Sequence, residues 1–401
     1  MIRCDALIVG GGPAGLAAAI ALRQKGLDVL LADALRPPID KACGEGLMPD
    51  ARKDLAALGI STSEQDGASF DGIAFLSPRH QVAAHFERGS GIGIRRLQLH
   101  SLLVARCQEL GVRLAWGSRV LVSDGRPLLL DSKRCVYRYV VGADGQSSRV
   151  RQSIGLGQGT IISRRFGTRC HYRIKPWSRM VEVHWGELGQ AYITPVGPQE
   201  ICVAIVASDP AVRMEAVLAG LPALQVHLQG AAKLSTVRGA LTTTRKLRRV
   251  TAGNVALAGD ASGSADAVTG EGIALSFRQA LLLAKAIAVD DLGIYEAGHP
   301  AILRMPHLMS RVMLRLDACP WFRDSALGLL SAQPQLFAHL LRMHLGERSL
   351  GDFMLRGAPA LGLRLLLAPA AKHMPSGELA HSIFTMGVVG ETELNAQSRG
   401  R

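Results

Sequence analysis

Apolar runs separated by helix-type segments dominate the first third of the chain. Residues 7–9 and 27–32 are short apolar runs, and residues 16–22 between them are good helix formers followed by a basic turn and Gly26. Short apolar runs of this kind are typical of strands that are buried on both faces of a parallel sheet. The pattern therefore predicts a strand, a helix and a second strand that ends on Asp33.

Farther along, the pattern first continues this alternation and then changes. It predicts helices over residues 50–58 and 99–110, and strands over residues 70–86, 112–116, 119–123, 127–130 and 135–141. Four more strand-like runs, at residues 166–174, 180–185, 190–194 and 200–206, follow one another without helices between them. Consecutive strands of that kind predict an antiparallel sheet that is separate from the parallel one.

The remaining pattern is mostly helical. Residues 254–260 form a third apolar run, which ends on Asp260, and a loop of small residues then leads into a helix over residues 273–289. Beyond Pro300 the chain is rich in Leu, Met and Arg, which predicts further helices. We therefore expect an α/β fold, α+β overall, with a Rossmann-like parallel-sheet domain, an inserted antiparallel substrate domain and a helical C-terminal region. The expected ranges are 1–69, 94–160 and 245–295 for the first, 70–93 and 161–244 for the second, and 296–401, with a short flexible tail, for the third.

The loop after the first strand carries the first candidate chemistry. Gly10, Gly12 and Gly15 have the spacing G-x-G-x-x-G between a strand and a helix, and Asp33 ends the next strand. Gly10 permits a tight turn, Gly12 lets a diphosphate approach the helix N-terminus, and Gly15 lets the helix pack closely on the strand. Asp33 can accept hydrogen bonds from a ribose. This context favours an adenine dinucleotide over an ordinary glycine-rich turn.

Two further strand ends carry small polar loops. One is the segment 142–149, which includes Asp144 and Arg149, and the other begins at Gly259 and continues to the glycine-rich helix start at 269–272. In open α/β sheets such loops line the ligand crevice. We therefore expect three strand ends, far apart in sequence, to meet at one bound ligand.

A separate loop, residues 41–49, is typical of a backbone that lies close to a ligand. Cys43 and Gly44 directly precede Glu45 and Gly46. Cys43 is the candidate for a redox role beside a cofactor, and the alternative is a buried cysteine that fills space. His171, His184 and Tyr192 lie on the antiparallel strands, where histidines are commonly structural, so no catalytic acid or base is assigned.

Composition narrows the class of protein. A chain of 401 residues with 48% hydrophobic and 20% charged residues is typical of a globular protein with an ample core. Its seven cysteines include no C-x-x-C pair, which argues against a structural zinc site and for a reducing compartment, so we expect no metal. The net charge of +13 favours anionic partners, but the arginines are dispersed without interleaved aromatic residues, so no nucleic acid is expected.

The apolar stretches also bear on location. No run is long enough to span a bilayer and the first strand begins within a few residues, so we expect a cytoplasmic protein. Residues 301–373 combine apolar positions with an excess of basic over acidic residues. Such a surface indicates peripheral binding to the anionic inner face of a membrane, and the alternative is a helical cap packed on the domain.

Together, the three strand-end loops resemble those of the flavoprotein superfamily that contains the aromatic hydroxylases of the p-hydroxybenzoate hydroxylase type and the geranylgeranyl reductases. The resemblance covers roughly residues 1–291 and implies a bound FAD, with NADPH or NADH as the reductant. It implies that the following residues contact the cofactor: Gly10, Gly12, Pro13, Ala14, Gly15, Asp33, Cys43, Gly44, Arg96, Val120, Asp144, Arg149, Gly259, Asp260, Gly270, Gly272 and Ile273.

The same resemblance implies a place for several of these residues. Arg96 matches the arginine that opens a helix and contacts the cofactor, and Val120 stands where a backbone group usually meets the adenine. Asp260 matches the acid near the ribityl and pyrophosphate groups, and residues 270–273 match the helix start beside the isoalloxazine. The segment 144–149 matches a motif linked to both FAD and NADPH handling.

The two subfamilies imply different reactions. Residues 142–149 and 269–280 look like those of FAD monooxygenases, which imply hydroxylation of an apolar phenolic, quinonoid or polyketide-type molecule through a flavin hydroperoxide. Residues 41–47 look like the cysteine loop of the geranylgeranyl reductases, which implies saturation of isoprenoid double bonds. A third alternative is a non-catalytic flavin-binding surface protein. In hydroxylases an asparagine usually follows the glycine-rich helix start. It is absent here, where Ala274 and Leu275 occupy that neighbourhood.

Overall fold

The computed structural model describes residues 2–123, 126–129, 135–157 and 159–348. In chain order its strands are β1 (Ile2–Val9), β2 (Val29–Asp33), β3 (Gly46–Leu47), β4 (Ala68–Phe70), β5 (Gly72–Leu76), β6 (Gln81–His85), β7 (Gly91–Gly93), β8 (Arg113–Trp116), β9 (Val120–Ser123), β10 (Arg126–Leu129), β11 (Cys135–Gly142), β12 (Thr160–Arg173), β13 (Met180–Trp185), β14 (Gln190–Gly197), β15 (Glu200–Ala207), β16 (Ala232–Lys233), β17 (Arg238–Lys246), β18 (Thr251–Ala252) and β19 (Val255–Leu257).

The helices are α1 (Pro13–Gln24), α2 (Pro49–Ala57), α3 (Arg96–Glu109), α4 (Arg149–Ser153), α5 (Met214–Ala219), α6 (Pro222–Leu228), α7 (Gly272–Ala288), α8 (Leu292–Ala318), α9 (Pro320–Ala332) and α10 (Pro334–His344). Two short 3₁₀ helices, Gly259–Ser262 and Ala267–Thr269, lie between β19 and α7. No helix in the described ranges is both long and apolar enough to cross a bilayer.

The first sheet has six strands in the order β18-β19-β11-β1-β2-β8. Every neighbouring pair is parallel except β18 with β19. Along β1, Ile8 faces the side covered by α1, α3 and α7, whereas Leu7 faces the opposite side, and both side chains are fully buried. Burial of each such side chain contributes about 1.5–3 kcal/mol to the free energy of unfolding. This burial on both faces explains the continuous apolar runs, and the predicted parallel sheet is confirmed.

The second sheet has eight strands in the order β16-β12-β15-β14-β13-β5-β6, with β17 also paired to β12. Its pairs are antiparallel except β13 with β5, so the predicted separate antiparallel sheet is confirmed in its main strands. The pattern missed β16, β17 and the first residues of β12. Six of the nine residues of β17 are polar and only two are buried, and an edge strand without an apolar face gives no alternating signal. The domain boundaries themselves stay a prediction.

Two helix starts differ from the expected ones. Helix α3 begins at Arg96 rather than at residue 99, and α8 begins at Leu292 and continues through Pro300 and Pro306. The side chain of Asp291 accepts a hydrogen bond from the Gly293 N–H, which caps α8 and fixes its start before the first proline. The part of the predicted helical region beyond residue 348 lies outside the described residues.

Candidate functional site

Three loops meet at the carboxyl edge of the parallel sheet. In register, Val9 stands opposite both Ala32 and Gly142, so β1, β2 and β11 end at one level. A Cβ atom on Gly10 would lie 2.4 Å from the Ala143 carbonyl oxygen, and one on Gly259 would lie 2.5 Å from the Ala14 Cβ. The loops after β1, β11 and β19 are therefore in contact, as the spacing of the three motifs predicted.

The glycine positions of the first loop have distinct geometry. Gly10 has a φ of 113°, which favours glycine, and a Cβ atom on Gly15 would lie 1.8 Å from the Gly10 carbonyl oxygen. By contrast, a Cβ atom on Gly12 would meet nothing within 4 Å among the described atoms outside its chain neighbours. Gly12 precedes α1 without a side-chain cap, so the first N–H groups of that helix face this open space. Gly10 and Gly15 shape the turn, and Gly12 leaves room for an anionic ligand.

Asp33 is held by the same loop. Its Oδ2 accepts a hydrogen bond of 2.6 Å from the Gly11 N–H, and its Oδ1 accepts one of 2.7 Å from the Leu35 N–H. A carboxylate has about four lone-pair sites, so each oxygen keeps the capacity to accept another hydrogen bond. The two backbone contacts fix the carboxylate beside the glycine turn, where it can accept from a ribose hydroxyl.

Arg96, the first residue of α3, is 5% exposed and contacts residues 41–47, the cysteine loop. Its backbone N–H donates to Glu45 Oε1 at 2.8 Å, while its Nη1 is buried and has no hydrogen-bond partner among the residues that the structure describes. Burial lowers the pKa of the Arg96 guanidinium, the direction expected for a cation that is taken out of water. A buried guanidinium nitrogen without a partner, together with the open space at Gly12, fits the diphosphate of a dinucleotide.

The third loop is supported from two helices. The Gly259 N–H donates to Gln279 Oε1 at 2.6 Å, and Arg151 Nη1 donates to the Ala261 carbonyl oxygen at 3.1 Å. The carboxylate of Asp260 pairs with Lys41 at 3.4 Å. Beyond this loop, Gly270 and Gly272 are exposed and Ile273 is half-buried at the start of α7, so that helix end is open to a ligand.

Other residues of the expected set have local roles in the structure. Asp144 accepts hydrogen bonds from the Ser148 hydroxyl at 2.5 Å and from the Arg149 N–H at 2.7 Å, so it caps the start of α4. The Arg149 side chain is exposed. Val120 is half-buried and packs on apolar clusters that include Leu7. A role for Asp144, Arg149 and Val120 in cofactor binding stays a prediction.

Cys43 is half-buried in the loop before β3, and Gly44 is exposed beside it. The Cys43 Sγ accepts a hydrogen bond of 3.3 Å from the Glu45 N–H. Burial, and next the nearby Glu45 carboxylate, raise the pKa of the Cys43 thiol. A raised pKa keeps the sulfur protonated, which opposes a role as a thiolate nucleophile. All seven cysteines are free thiols in the structure.

The antiparallel sheet contributes a buried charged network that the sequence did not predict. Glu45 has a φ of 61° and a side chain that is 1% exposed, and its Oε2 lies 2.7 Å from His171 Nε2. Arg169 binds Asp40 at 2.6 Å and lies 3.8 Å from Glu45 Oε1. The sequence showed the Glu45 carboxylate between two glycines, but that pattern did not indicate which residue would pair with it.

The other polar candidates on this sheet have structural partners. His184 Nε2 lies 2.9 Å from the Glu182 carboxylate, and the Tyr192 hydroxyl donates to the Val268 carbonyl oxygen at 3.0 Å. Burial raises the pKa of Tyr192, which keeps its hydroxyl protonated. His100, which the sequence did not single out, lies on α3 one turn after Arg96, and its Nε2 lies 2.9 Å from the Gly11 carbonyl oxygen.

His299 makes the free energy of unfolding depend on pH. Its Nε2 lies 2.9 Å from the Ser262 hydroxyl and 3.2 Å from Gln279 Nε2, which links α8 to the third loop. Burial lowers its pKa from 6.5 to about 4. As pH falls below 6.5, the unfolded chain takes up a proton before the folded one does. The free energy of unfolding therefore falls between pH 6.5 and 4, by about 3 kcal/mol from this group.

Urea unfolding across this pH range measures the effect. In His299→Gln the decrease in the free energy of unfolding should be smaller than in the wild type by that amount. An identical slope in the wild type and His299→Gln would contradict the assignment.

Comparisons with known proteins agree with this geometry. The family model described as FAD binding domain matches residues 3–291. Menaquinone reductase of Mycobacterium tuberculosis (strain H37Rv) is 31% identical over 172 residues, which are 42% of this chain and 41% of that protein. Rifampicin monooxygenase of Rhodococcus hoagii is 29% identical over 160 residues, 37% of this chain and 33% of that protein. These matches span less than half the length of each relative.

Solved structures show the same fold. The p-nitrophenol 4-monooxygenase from Pseudomonas putida has a TM-score of 0.72 at 16% identity, with 86% of this chain and 98% of that chain covered. A geranylgeranyl bacteriochlorophyll reductase-like protein from Thermoplasma acidophilum has a TM-score of 0.70 at 17% identity, with 88% and 98% covered. At these identities the similarity is one of fold.

Proposed function

The chain belongs to the FAD binding domain family, and from this premise we propose that it is a flavin-dependent monooxygenase that hydroxylates an apolar phenolic, quinonoid or polyketide-type molecule. The observation that carries the proposal is the meeting of three strand-end loops around an uncapped helix start, in a chain that also has a buried Arg96 nitrogen without a partner among the described residues. The relatives named for rifampicin and menaquinone support a polyketide-type or quinonoid substrate.

The residues of this chain hold and orient the cofactor. FAD, when bound, supplies the two-electron redox chemistry. The open backbone at Gly12 and the free nitrogen of Arg96 bind the diphosphate, and Asp33 accepts from the ribose. The uncapped start of α7 at Gly272 presents backbone N–H groups and the positive end of a helix dipole, which stabilise negative charge at the reacting end. NADPH or NADH is the proposed reductant, and the net charge of +13 favours its approach.

A second candidate is the reduction of an isoprenoid double bond. The observation that favours it is the cysteine loop, which Glu45 ties to α3 and to β12 beside the cofactor residues. In such a reaction the protonated thiol of Cys43 would act as a proton donor or a packing group, since its raised pKa opposes thiolate chemistry.

Oxygen consumption separates the two candidates. With purified flavin-loaded protein, NADPH or NADH, and a panel of phenolic and quinone substrates, we expect substrate-dependent O₂ uptake equal to nicotinamide oxidation. Cys43→Ala should retain this activity, with Cys319→Ala as the matched half-buried control. Substrate turnover only under anaerobic conditions with prenylated substrates, lost in Cys43→Ala, would replace the first candidate by the second.

Membrane association is proposed for the helical region after residue 300. Arg304 and Arg311 on α8 are exposed, and Trp321 at the start of α9 is 74% exposed. We expect weak, salt-sensitive adsorption to anionic vesicles, because exposed cations attract acidic headgroups and salt screens that attraction. Flotation with anionic and with neutral vesicles at low and high salt measures it. Absence of binding to anionic vesicles at low salt would refute the proposal.

A further inference from the structure

A polar pocket of about 230 Å³ lies between the cysteine loop, the start of α3 and strand β12. Its walls carry three guanidinium groups, from Arg95, Arg169 and Arg238, and two carboxylates, from Asp40 and Glu45. These residues come from four separate segments of the chain. Neither the cofactor contacts nor the proposed reaction accounts for this concentration of charge.

The carboxylates are shared among the cations. Asp40 Oδ1 lies 2.6 Å from Arg169 Nη2, and its Oδ2 lies 2.8 Å from Arg238 Nε. Arg95 pairs with Glu200 outside the pocket, where its Nε lies 3.2 Å from Glu200 Oε1.

The pocket lining therefore has three guanidinium groups and two carboxylates, because Glu200 lies outside it. It carries one positive charge more than its acids neutralise.

Hydrogen bonding at His171 shows that the histidine does not add to this charge. His171 Nδ1 lies 3.0 Å from Arg95 Nη2 and 3.3 Å from Arg169 Nη1. A guanidinium only donates, so Nδ1 must be the unprotonated, accepting nitrogen. The single ring proton is then on Nε2, where it is donated to Glu45 Oε2 at 2.7 Å. His171 is therefore neutral, and its tautomer is fixed from both sides.

The same place offers cation ligands, but its surroundings oppose a metal ion. Ligand atoms of Glu45, His171 and Cys202 lie within 4.8 Å of one another. Burial is the main cause that raises the pKa of the Cys202 thiol, which opposes the thiolate that a metal needs. Guanidinium groups of Arg95 and Arg169 also point at the imidazole. A dication would be repelled by groups that attract an anion.

One guanidinium donor remains available in the pocket. Arg169 is 2% exposed, and its Nε is buried without a hydrogen-bond partner in the described part of the chain. The half-buried Ser235 hydroxyl lies 2.9 Å from His171 Nδ1 and also lines the pocket. A buried, unpaired guanidinium nitrogen in a pocket with a net positive charge is an incomplete site for an oxyanion.

We propose that this pocket binds one oxyanion group of a small molecule, a carboxylate or a phosphate, between Arg95, Arg169, Arg238 and Ser235. The bound group neutralises the surplus charge and supplies an acceptor for the unpaired Arg169 nitrogen. The carboxylate would come from an acidic substrate, and the phosphate from a nucleotide.

Calorimetric titration of the flavin-loaded protein tests the proposal without turnover. Benzoate, inorganic phosphate, NADP⁺ and NAD⁺, the oxidised nucleotides that cannot reduce the flavin, are titrated at low salt into the wild type, Arg238→Gln and Asp40→Asn. Arg238→Gln removes the surplus charge and should weaken binding of the preferred probe roughly tenfold. Asp40→Asn removes a competing carboxylate and should tighten it. Arg173→Gln, at an exposed arginine of the same strand, is the matched control and should change nothing.

The probes distinguish the sources of the anion. Benzoate binding that responds to both variants supports a carboxylate, and phosphate or NADP⁺ binding that exceeds NAD⁺ binding supports a phosphate. Circular dichroism and flavin absorbance of each variant check its fold and its cofactor. If no probe binds, or if Asp40→Asn weakens binding as Arg238→Gln does, the pocket is not an anion site.

Discussion

Gly12→Glu should give a folded protein that does not retain flavin. A side chain at Gly12 meets open space, and the φ of Gly12, −74°, suits any residue, so the fold tolerates the change. The new carboxylate enters the space in front of α1, where we expect the diphosphate. Two like charges about 4 Å apart near a protein surface repel by about 4 kcal/mol, roughly a thousandfold in affinity. The ratio of flavin absorbance to protein absorbance after purification and after incubation with FAD measures the effect.

A glutamate at an ordinary exposed glycine is the control. Gly157 is exposed, and a Cβ atom there would lie 3.8 Å from its nearest contact, on Gln152. Gly157→Glu therefore makes the same charge change away from the three loops and should retain full flavin content. If Gly12→Glu binds FAD as tightly as Gly157→Glu does, the cofactor does not occupy the start of α1.

Glu45→Gln should cost about 3–5 kcal/mol of the free energy of unfolding, because it leaves buried cations without their acid. Glu45 accepts from His171 Nε2 and from the Arg96 N–H and lies close to Arg169. The substituted amide can still accept from Arg96, but its NH₂ then faces the Nε2–H of His171. Because guanidinium groups hold His171 Nδ1 unprotonated, the imidazole cannot change tautomer to relieve that contact. Urea unfolding followed by circular dichroism measures the loss.

The matched control replaces an exposed acid of an ion pair. Glu87 binds Arg342 at 3.0 Å, and its side chain is 49% exposed. Exposed ion pairs contribute about 0–1 kcal/mol to the free energy of unfolding. The loss in Glu87→Gln should therefore be several-fold smaller than the loss in Glu45→Gln. Equal losses in the two variants would show that the Glu45 network does not support the fold.

What the sequence predicted correctly is local. Residues 7–9 are apolar because β1 is buried on both faces, and Gly10 and Gly15 are required by contacts that their absent side chains permit. Both features depend on residues that are consecutive in the sequence, so the local pattern alone predicts the first strand, its loop and its helix. The antiparallel sheet was predicted in the same way, from strands that follow one another without helices.

What the sequence could not predict depends on contacts between distant segments. Glu45 and His171 are separated by 126 positions, and only the pairing of cysteine loop and β12 brings them together. Strand β17 has no apolar face of its own and is defined by its partner β12. Asp144 has the spacing of a cofactor motif, yet its carboxylate caps α4, since a local hydrogen-bond acceptor serves either use.

The position of β1 has a consequence for synthesis on the ribosome. This strand is the first to be made, but it lies in the interior of its sheet, between β2 and β11, and β19 completes the row on the far side of β11. The row of parallel strands is therefore complete only after residue 257 has been made, and β1 lacks its second neighbour, β11, until residue 142. Nascent chains that stop before Cys135 would leave one edge of β1 unpaired and exposed to chaperones and to aggregation.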